Sequence, residues 1–120
     1  MRTLSQIPYS RRKALRVSAP EGIRVYWSSA QRSDVSRIRN LSFGGVFIET
    51  RKPQSVGVKA EIDFLVEEGQ IRTKAVVRHA DCASGMGLQF TGVAQEDRPH
   101  LGALLTRLRT FSRSRPNLPG

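Results

Sequence analysis

The sequence predicts an all-β fold of about six antiparallel strands, closed by one C-terminal helix. Two patterns favour it. Apolar and polar residues alternate through much of residues 23–90, which is the period of a strand with one buried face. From residue 101 the apolar spacing changes to that of a helix. The 120 residues suffice for one domain, and successive hairpin-like strands with one apolar face predict a small barrel or closed sheet.

The N-terminal segment of residues 1–19 shows no hydrophobic period, is rich in basic residues and ends before Pro20. We interpret it as a flexible arm. The first strand begins near Ile23, with apolar residues at every second position. Residues 33–42 form the second strand, in which Val35, Ile38 and Leu41 do not share a parity, and this irregularity predicts a β-bulge.

The remaining strands follow in hairpin order. A short strand at residues 46–50 comes after two glycines, and residues 58–67 alternate most clearly of all. The return strand spans residues 71–78, and a loop at residues 81–85 leads to a last short strand at residues 86–90.

The C-terminal part is predicted to be a helix with one apolar stripe, formed by Leu101, Leu104, Leu105, Leu108 and Phe111. The predicted domain organisation is an arm at 1–19, a β-barrel at 20–93 and a helix at 94–111. Residues 112–120 contain two prolines and no pattern, so we expect a disordered tail there.

The charge is large and uneven. The chain carries a formal charge of +10, and 16 of its 20 basic residues are arginine. Residues 1–39 contribute +7, whereas residues 40–94 are neutral. Arginine presents a planar fork of donors that matches phosphate and guanine, so this composition favours anion recognition at the ends of the chain.

Nothing in the sequence is typical of a catalytic centre. His79 and His100, the two histidines, belong to no constellation of nucleophiles or metal ligands, and we interpret them as surface residues. Cys82 is the single cysteine, which excludes an internal disulfide and a cysteine-rich zinc site. We therefore expect a binding module rather than an enzyme, without a metal or cofactor. No signal peptide or membrane-spanning run is recognisable, so the expected location is the cytoplasm.

Two short segments contain candidate binding residues. The first runs from Arg11 to Arg16 and places four positive charges in six residues. By itself it is more typical of a solvated basic tail. The second runs from Asn40 to Gly45, where Asn40 and Ser42 share a parity and Gly44 and Gly45 allow a ligand to approach the backbone. By itself it is more typical of a turn between strands.

Taken together, the two segments resemble the PilZ domain, the bacterial receptor module for cyclic di-GMP. Arg12 and Arg16 match its R-x-x-x-R motif, and Asn40, Ser42 and Gly45 match N-x-S-x-x-G, in which asparagine is an accepted variant of aspartate. Residues 85–90 resemble the family's G-x-G-x-x-F ending, and the resemblance covers roughly residues 8–111.

The resemblance implies a six-stranded antiparallel barrel that binds cyclic di-GMP. It implies that Arg12 and Arg16 grip the phosphates and guanines, with Arg11 as a further contact. It also implies that Asn40, Ser42 and Gly45, beside Gly44, meet a guanine at the barrel surface. Family members bind one or two ligand molecules, and the sequence leaves that number open.

Two alternatives remain open at this stage. One is a barrel that binds single-stranded nucleic acid, although only Tyr26 and Phe43 are aromatic residues expected on an exposed face. The other is a PilZ-like scaffold that has lost its ligand and acts through protein contacts. Our expectation is a cyclic di-GMP receptor in second-messenger signalling that acts on a downstream protein, without DNA or RNA binding and without membrane insertion.

Overall fold

The computed structural model describes residues 16–19 and 22–114, with side chains as far as Thr110. A short strand, β1 (Val17–Ser18), precedes six longer ones. These are β2 (Arg24–Ser29), β3 (Ser33–Leu41), β4 (Gly45–Glu49), β5 (Lys59–Leu65), β6 (Arg72–Asp81) and β7 (Gly85–Val93). A 3-10 turn at Gln95–Asp97 leads into helix α1 (Arg98–Ser114).

The six longer strands form a closed antiparallel barrel. Their spatial order is β3, β2, β5, β6, β7 and β4, and β4 pairs again with β3 to close the ring. The predicted fold class is thereby confirmed. The β3–β4 register shifts between Ile38 and Asn40, which confirms the bulge predicted in this strand. The bulge lies immediately before the candidate binding residue Asn40.

Strand β1 was not predicted from the sequence, which places its residues within the arm. Val17 pairs with Leu41 and Ser18 with Asn40, and the Ala19 amide donates to the Arg39 carbonyl over 2.9 Å. β1 therefore pairs with β3 beyond Arg37, the partner of Arg24 at the start of β2. Residues 1–15 of the predicted arm lie outside the described residues.

The barrel interior is filled by the apolar faces that the alternation predicts. Val25 and Trp27 of β2 are fully buried, as are Ile71 and Val77 around β6. The Trp27 indole Nε1–H donates to the Ser36 hydroxyl over 3.0 Å, so its one polar group is satisfied within the core. The inward-facing residues thus form the packed core of the barrel, and the alternate residues of β3 point outward from it.

Helix α1 covers the barrel with the predicted leucine stripe, since Leu101, Leu104, Leu105 and Leu108 are all buried. It extends to Ser114, beyond the predicted end at residue 111, and the Phe111 side chain lies outside the described part. The helix packs against β1. It is neither long nor apolar enough to cross a membrane, and the same is true of every helix in the described residues.

Candidate functional site

Arg16 lies immediately before β1 and reaches across to the end of β3. Its Nε donates to Asn40 Oδ1 over 2.8 Å, and its Nη1 donates to Ser42 Oγ over 3.2 Å. The pairing of β1 with β3 explains this geometry, because it brings residue 16 beside the last residues of β3. Three residues that the sequence analysis selected from two distant segments therefore meet at one point.

The Arg16 guanidinium is held by neutral groups. Partial burial lowers its pKa from the usual value, yet an arginine side chain stays protonated in proteins. Neither the amide of Asn40 nor the hydroxyl of Ser42 carries a charge, so these two hydrogen bonds orient the guanidinium without neutralising it. An oriented cation beside an amide and a hydroxyl is suited to a ligand that combines a phosphate with a hydrogen-bonding base.

Ser42 organises the loop between β3 and β4. Its hydroxyl accepts from the Gly44 amide over 3.1 Å and from the Gly45 amide over 3.2 Å, and it is 2% exposed. The Ser42 amide in turn donates to the Gly45 carbonyl over 2.9 Å. The loop backbone is therefore folded around one hydroxyl, and the same hydroxyl receives Arg16.

The loop is also tied to β7, the second neighbour of β4 in the barrel. Gly45 pairs with Gln89 of β7, and the Phe90 amide donates to the Gly44 carbonyl over 2.8 Å. Gly44 itself is exposed, whereas Gly45 is buried between strands. Of these two candidate residues, Gly44 is thus open to a ligand from solvent, and Gly45 contributes through the backbone of the loop.

The two remaining candidate residues, Arg11 and Arg12, lie outside the described residues. The structure brings the other candidate residues, Arg16, Asn40, Ser42, Gly44 and Gly45, together. The sequence analysis missed Arg39 and Phe47, which border the site. The Arg39 guanidinium lies 4.7 Å from the Phe47 ring centroid, and Phe47 pairs with Asn40 across the strands. Phe47 could have been found only from its cross-strand pairing with Asn40, and this pairing requires knowledge of the strand register.

The other groups considered for chemistry lie apart from one another. His79 is exposed at the end of β6, and His100 Nδ1 lies 2.8 Å from the Gln70 carbonyl oxygen. Cys82 is an exposed free thiol. The described residues contain no group of three or more His, Cys, Asp and Glu side chains arranged to hold a metal ion.

Within the described part of the chain, the exposed aromatic residues Tyr26 and Phe43 do not form one platform. Tyr26 is 43% exposed and Phe43 59% exposed, as the sequence predicts for both. Tyr26 pairs with Val35, whereas Phe43 follows the far end of β3, and at ~3.3 Å per residue of strand the two lie roughly 25 Å apart along the strand. The Phe43 ring also lies against the helix at Gly102. Stacking of successive bases on both rings is therefore not supported.

Comparison with known proteins agrees with the fold and with the motif. The family model of the PilZ domain matches residues 10–107. Among solved structures, the PilZ domain with c-di-GMP of YcgR from Escherichia coli is 20% identical, with a TM-score of 0.68, over 91% of this chain and 99% of that one. The Bacillus subtilis inhibitor of motility MotI/DgrA is 25% identical, with a TM-score of 0.62, over 92% of this chain and 54% of that one. A search among curated protein sequences finds no significant match. With the family model covering most of its length, the chain belongs to the PilZ domain family.

Proposed function

We propose that this protein is a receptor for cyclic di-GMP, which binds at the Arg16–Asn40–Ser42 site. The observation that carries the proposal is the placement of the Arg16 guanidinium on Asn40 Oδ1 and Ser42 Oγ, where the residues of two family motifs meet. Membership of the PilZ family supports the ligand class, and so does the likeness to a YcgR domain that is described with c-di-GMP.

Each side chain of the site has a suitable role towards this ligand. The Arg16 guanidinium donates parallel hydrogen bonds to a phosphodiester or to the O6 and N7 atoms of guanine. The Asn40 amide offers both a donor and an acceptor to a guanine edge. The backbone around exposed Gly44 leaves room for a base to lie against the loop.

The proposed mechanism is a clamp formed by the N-terminal arm. Arg16 is already docked through β1, so ligand binding has to bring in Arg12, with Arg11 beside it. Fixing each further residue costs about 1–2 kcal/mol in backbone entropy. Charge-assisted hydrogen bonds at about 1.5–3 kcal/mol each offset that cost. The arm then covers the ligand and changes the surface beside β3.

The changed surface is the proposed output, read by a downstream protein. The likeness to a B. subtilis inhibitor of motility supports this, since that protein acts on a cellular process rather than on a small molecule alone. The proposed role is therefore that of an adaptor in second-messenger signalling, with no chemical step of its own.

Isothermal titration calorimetry with cyclic di-GMP tests the proposal. Arg16→Ala and Arg12→Ala are each expected to weaken binding by about tenfold to a hundredfold, because each removes a charged contact of about 1.5–3 kcal/mol. Arg98→Ala, at the exposed start of α1, is the matched control and is expected to bind like the wild type. Wild-type affinity in both arm variants would contradict the proposed site.

Trypsin digestion tests the clamp separately from affinity. The arm carries cleavage sites after Arg11, Arg12 and Lys13. Saturating cyclic di-GMP is expected to slow cleavage there in the wild type but not in Arg16→Ala. Equal cleavage with and without bound ligand would leave the receptor function standing and exclude the clamp. A single-stranded oligonucleotide that binds with a steep salt dependence, in the absence of saturable cyclic di-GMP binding, would instead favour a nucleic-acid-binding barrel.

A further inference from the structure

A second surface lies on the outer face of β2 and its two neighbouring strands. Side chains from three strands form two adjacent rows there, because Arg24 and Tyr26 of β2 are each paired on both sides. In the strand order β5, β2, β3, the rows are Leu65, Arg24, Arg37 and Asp63, Tyr26, Val35. We call this surface the β2 face.

The β2 face carries three of the large hydrophobic residues that are exposed in the described part of the chain. Tyr26 is 43% exposed, Val35 49% and Leu65 52%. Tyr26 and Val35 are direct cross-strand partners, which places their Cβ atoms about 4.5–5.5 Å apart. Leu65, the partner of Arg24 on β5, lies diagonal to Tyr26, at a separation that a tyrosine side chain can reach. Contiguous exposed apolar side chains with polar neighbours mark interaction sites.

A groove of about 730 Å³ adjoins this face and is strongly basic. Two acidic side chains, Asp34 and Glu49, line it together with six basic ones. The basic ones are Arg24, Arg32, Arg37, Arg39, Arg51 and Lys52. Glu49 lies 3.7 Å from Arg37 and 3.5 Å from Arg39, so its charge is already shared between two arginines. The groove keeps an excess of positive charge that attracts carboxylates.

We propose that the β2 face and its groove bind an acidic segment of a partner protein, with aliphatic or aromatic residues between its carboxylates. Tyrosine and arginine side by side are the residue types that dominate the binding energy of protein interfaces. Exposed Val35 and Leu65 add apolar contact area, which a charged phosphate backbone does not bury favourably. The mixture of apolar and basic groups therefore favours an acidic protein over a nucleic acid.

The β2 face and the ligand site share strand β3 but no residue. The β2 face uses the first half of β3, as far as Arg37, and the ligand site begins at Asn40 after the bulge. The groove approaches the ligand site at Arg39, which borders it. A partner held by the β2 face is expected to leave Arg16, Asn40 and Ser42 accessible to the ligand. The inference rests on the proposed function in one respect, which is that the partner is the protein through which the receptor acts. Binding of a peptide to the β2 face can be measured without the nucleotide.

A library of random peptides of about twelve residues, displayed on phage, tests the inference with the intact chain as the target. Selected peptides are expected to combine Asp or Glu with Leu, Ile, Val or Phe. Synthetic copies, followed by fluorescence anisotropy, are expected to bind Arg24→Glu and Tyr26→Ser about tenfold more weakly than wild type. Arg98→Glu, the same charge reversal at the start of α1, is expected to bind like the wild type. Val35→Ser provides an independent variant, and urea unfolding of each variant establishes that it is folded.

Three results would overturn the inference. One is a library that yields no binder, and another is a set of binders without acidic residues. The third is equal affinity of Arg24→Glu and Arg98→Glu for the selected peptides or for a single-stranded oligonucleotide. Calorimetry with cyclic di-GMP on the same variants separates the two proposals, because Arg24→Glu is expected to keep the wild-type nucleotide affinity. Peptide binding without nucleotide binding would refute the receptor function alone, and nucleotide binding without peptide binding would refute the β2 face alone.

Discussion

Gly45 lies so close to Leu88 that a Cβ atom at position 45 would be 2.4 Å from the Leu88 carbonyl oxygen. The contact joins β4 to β7 directly behind the loop that Ser42 organises. The obstacle is a backbone atom in a closed barrel, which cannot rotate away as a side chain can. The glycine of the second motif is therefore required by the packing of the barrel.

Gly45→Ala is accordingly expected to destabilise the fold by about 1–3 kcal/mol, the usual cost of overpacking. Gly44→Ala is the matched control, since its Cβ would make only an ordinary contact of 3.9 Å with Ser42 Oγ. A change within about 0.5 kcal/mol is expected there. Urea unfolding of both variants measures the difference, and equal stabilities would show that β4 and β7 move apart without cost.

A second prediction concerns the coupling of β1 to the ligand site. Val17 follows Arg16, is 8% exposed, and pairs with Leu41. Val17→Ala is expected to cost about 1–3 kcal/mol and to weaken cyclic di-GMP binding, because a looser β1 no longer fixes the Arg16 backbone. The measurements are urea unfolding and calorimetry at a temperature where the variant is folded.

The control for this prediction is Val77→Ala on β6, the strand three places from β3 in either direction around the barrel. Val77 is fully buried, so the loss of stability is expected to be similar. Its nucleotide affinity is expected to match the wild type. Equal losses of affinity in the two variants would mean that general stability, rather than β1, governs the site.

The sequence predicts those features that depend on local patterns. Alternation identified the strands, and the broken parity around Ile38 identified the bulge that the register confirms. Strand β1 was not predicted because a strand of two residues, Val17 and Ser18, is too short to show a period. Its structure depends on pairing with β3. The combined motif joins Arg16 and Asn40 only as residues expected to contact one ligand, and their direct hydrogen bond was not predicted, since 24 positions separate the two residues.

The same limit applies to Asp97, a buried carboxylate whose partner is far away in the sequence. Its Oδ2 accepts from the Arg72 amide over 2.9 Å and from Arg72 Nε over 3.0 Å, and its side chain is 2% exposed. These hydrogen bonds tie the start of α1 to the start of β6. The sequence analysis had no reason to join them, because acidic residues at a helix start are common whatever they contact.

The Asp97 pair predicts how stability depends on pH. The hydrogen bond from the Arg72 side chain, ahead of the other causes, lowers the pKa of Asp97 in the folded state. Its unfolded value is about 3.9, so the stabilisation is complete above that pH and is lost as the pH falls through the lower folded value. Wild type is therefore expected to be more stable than Asp97→Asn near neutral pH, with a gap that narrows below about pH 4.

Urea unfolding of the two proteins at a series of pH values measures this gap. Glu61→Gln on the exposed face of β5 is the control for the loss of a surface carboxylate. It is expected to change the stability at neutral pH less than Asp97→Asn does. A gap of constant size from neutral to acidic pH would show that Asp97 acts through its shape rather than through its charge.

The last prediction separates the two polar residues that hold Arg16. Ser42 Oγ accepts from the amides of Gly44 and Gly45 as well as from Arg16, whereas the described hydrogen bond of the Asn40 side chain is to Arg16 alone. Ser42→Ala is therefore expected to cost about 1–3 kcal/mol of stability, because it leaves amide donors at a buried position without their acceptor. Asn40→Ala is expected to change stability by less than about 1 kcal/mol and to weaken cyclic di-GMP binding by about tenfold.

Ser33→Ala at the exposed start of β3 is the control for loss of a serine hydroxyl, and it is expected to alter neither quantity. Urea unfolding and calorimetry on the same preparations measure the stability and the cyclic di-GMP affinity of each variant. Ser42 is expected to serve both the scaffold and the proposed site, because the hydroxyl that accepts from Arg16 also holds the loop. Asn40 is expected to serve the proposed site alone, because its amide faces Arg16 from the partly exposed end of the strand. If Asn40→Ala lost as much stability as Ser42→Ala while keeping its affinity, Asn40 would have to be reassigned to the scaffold.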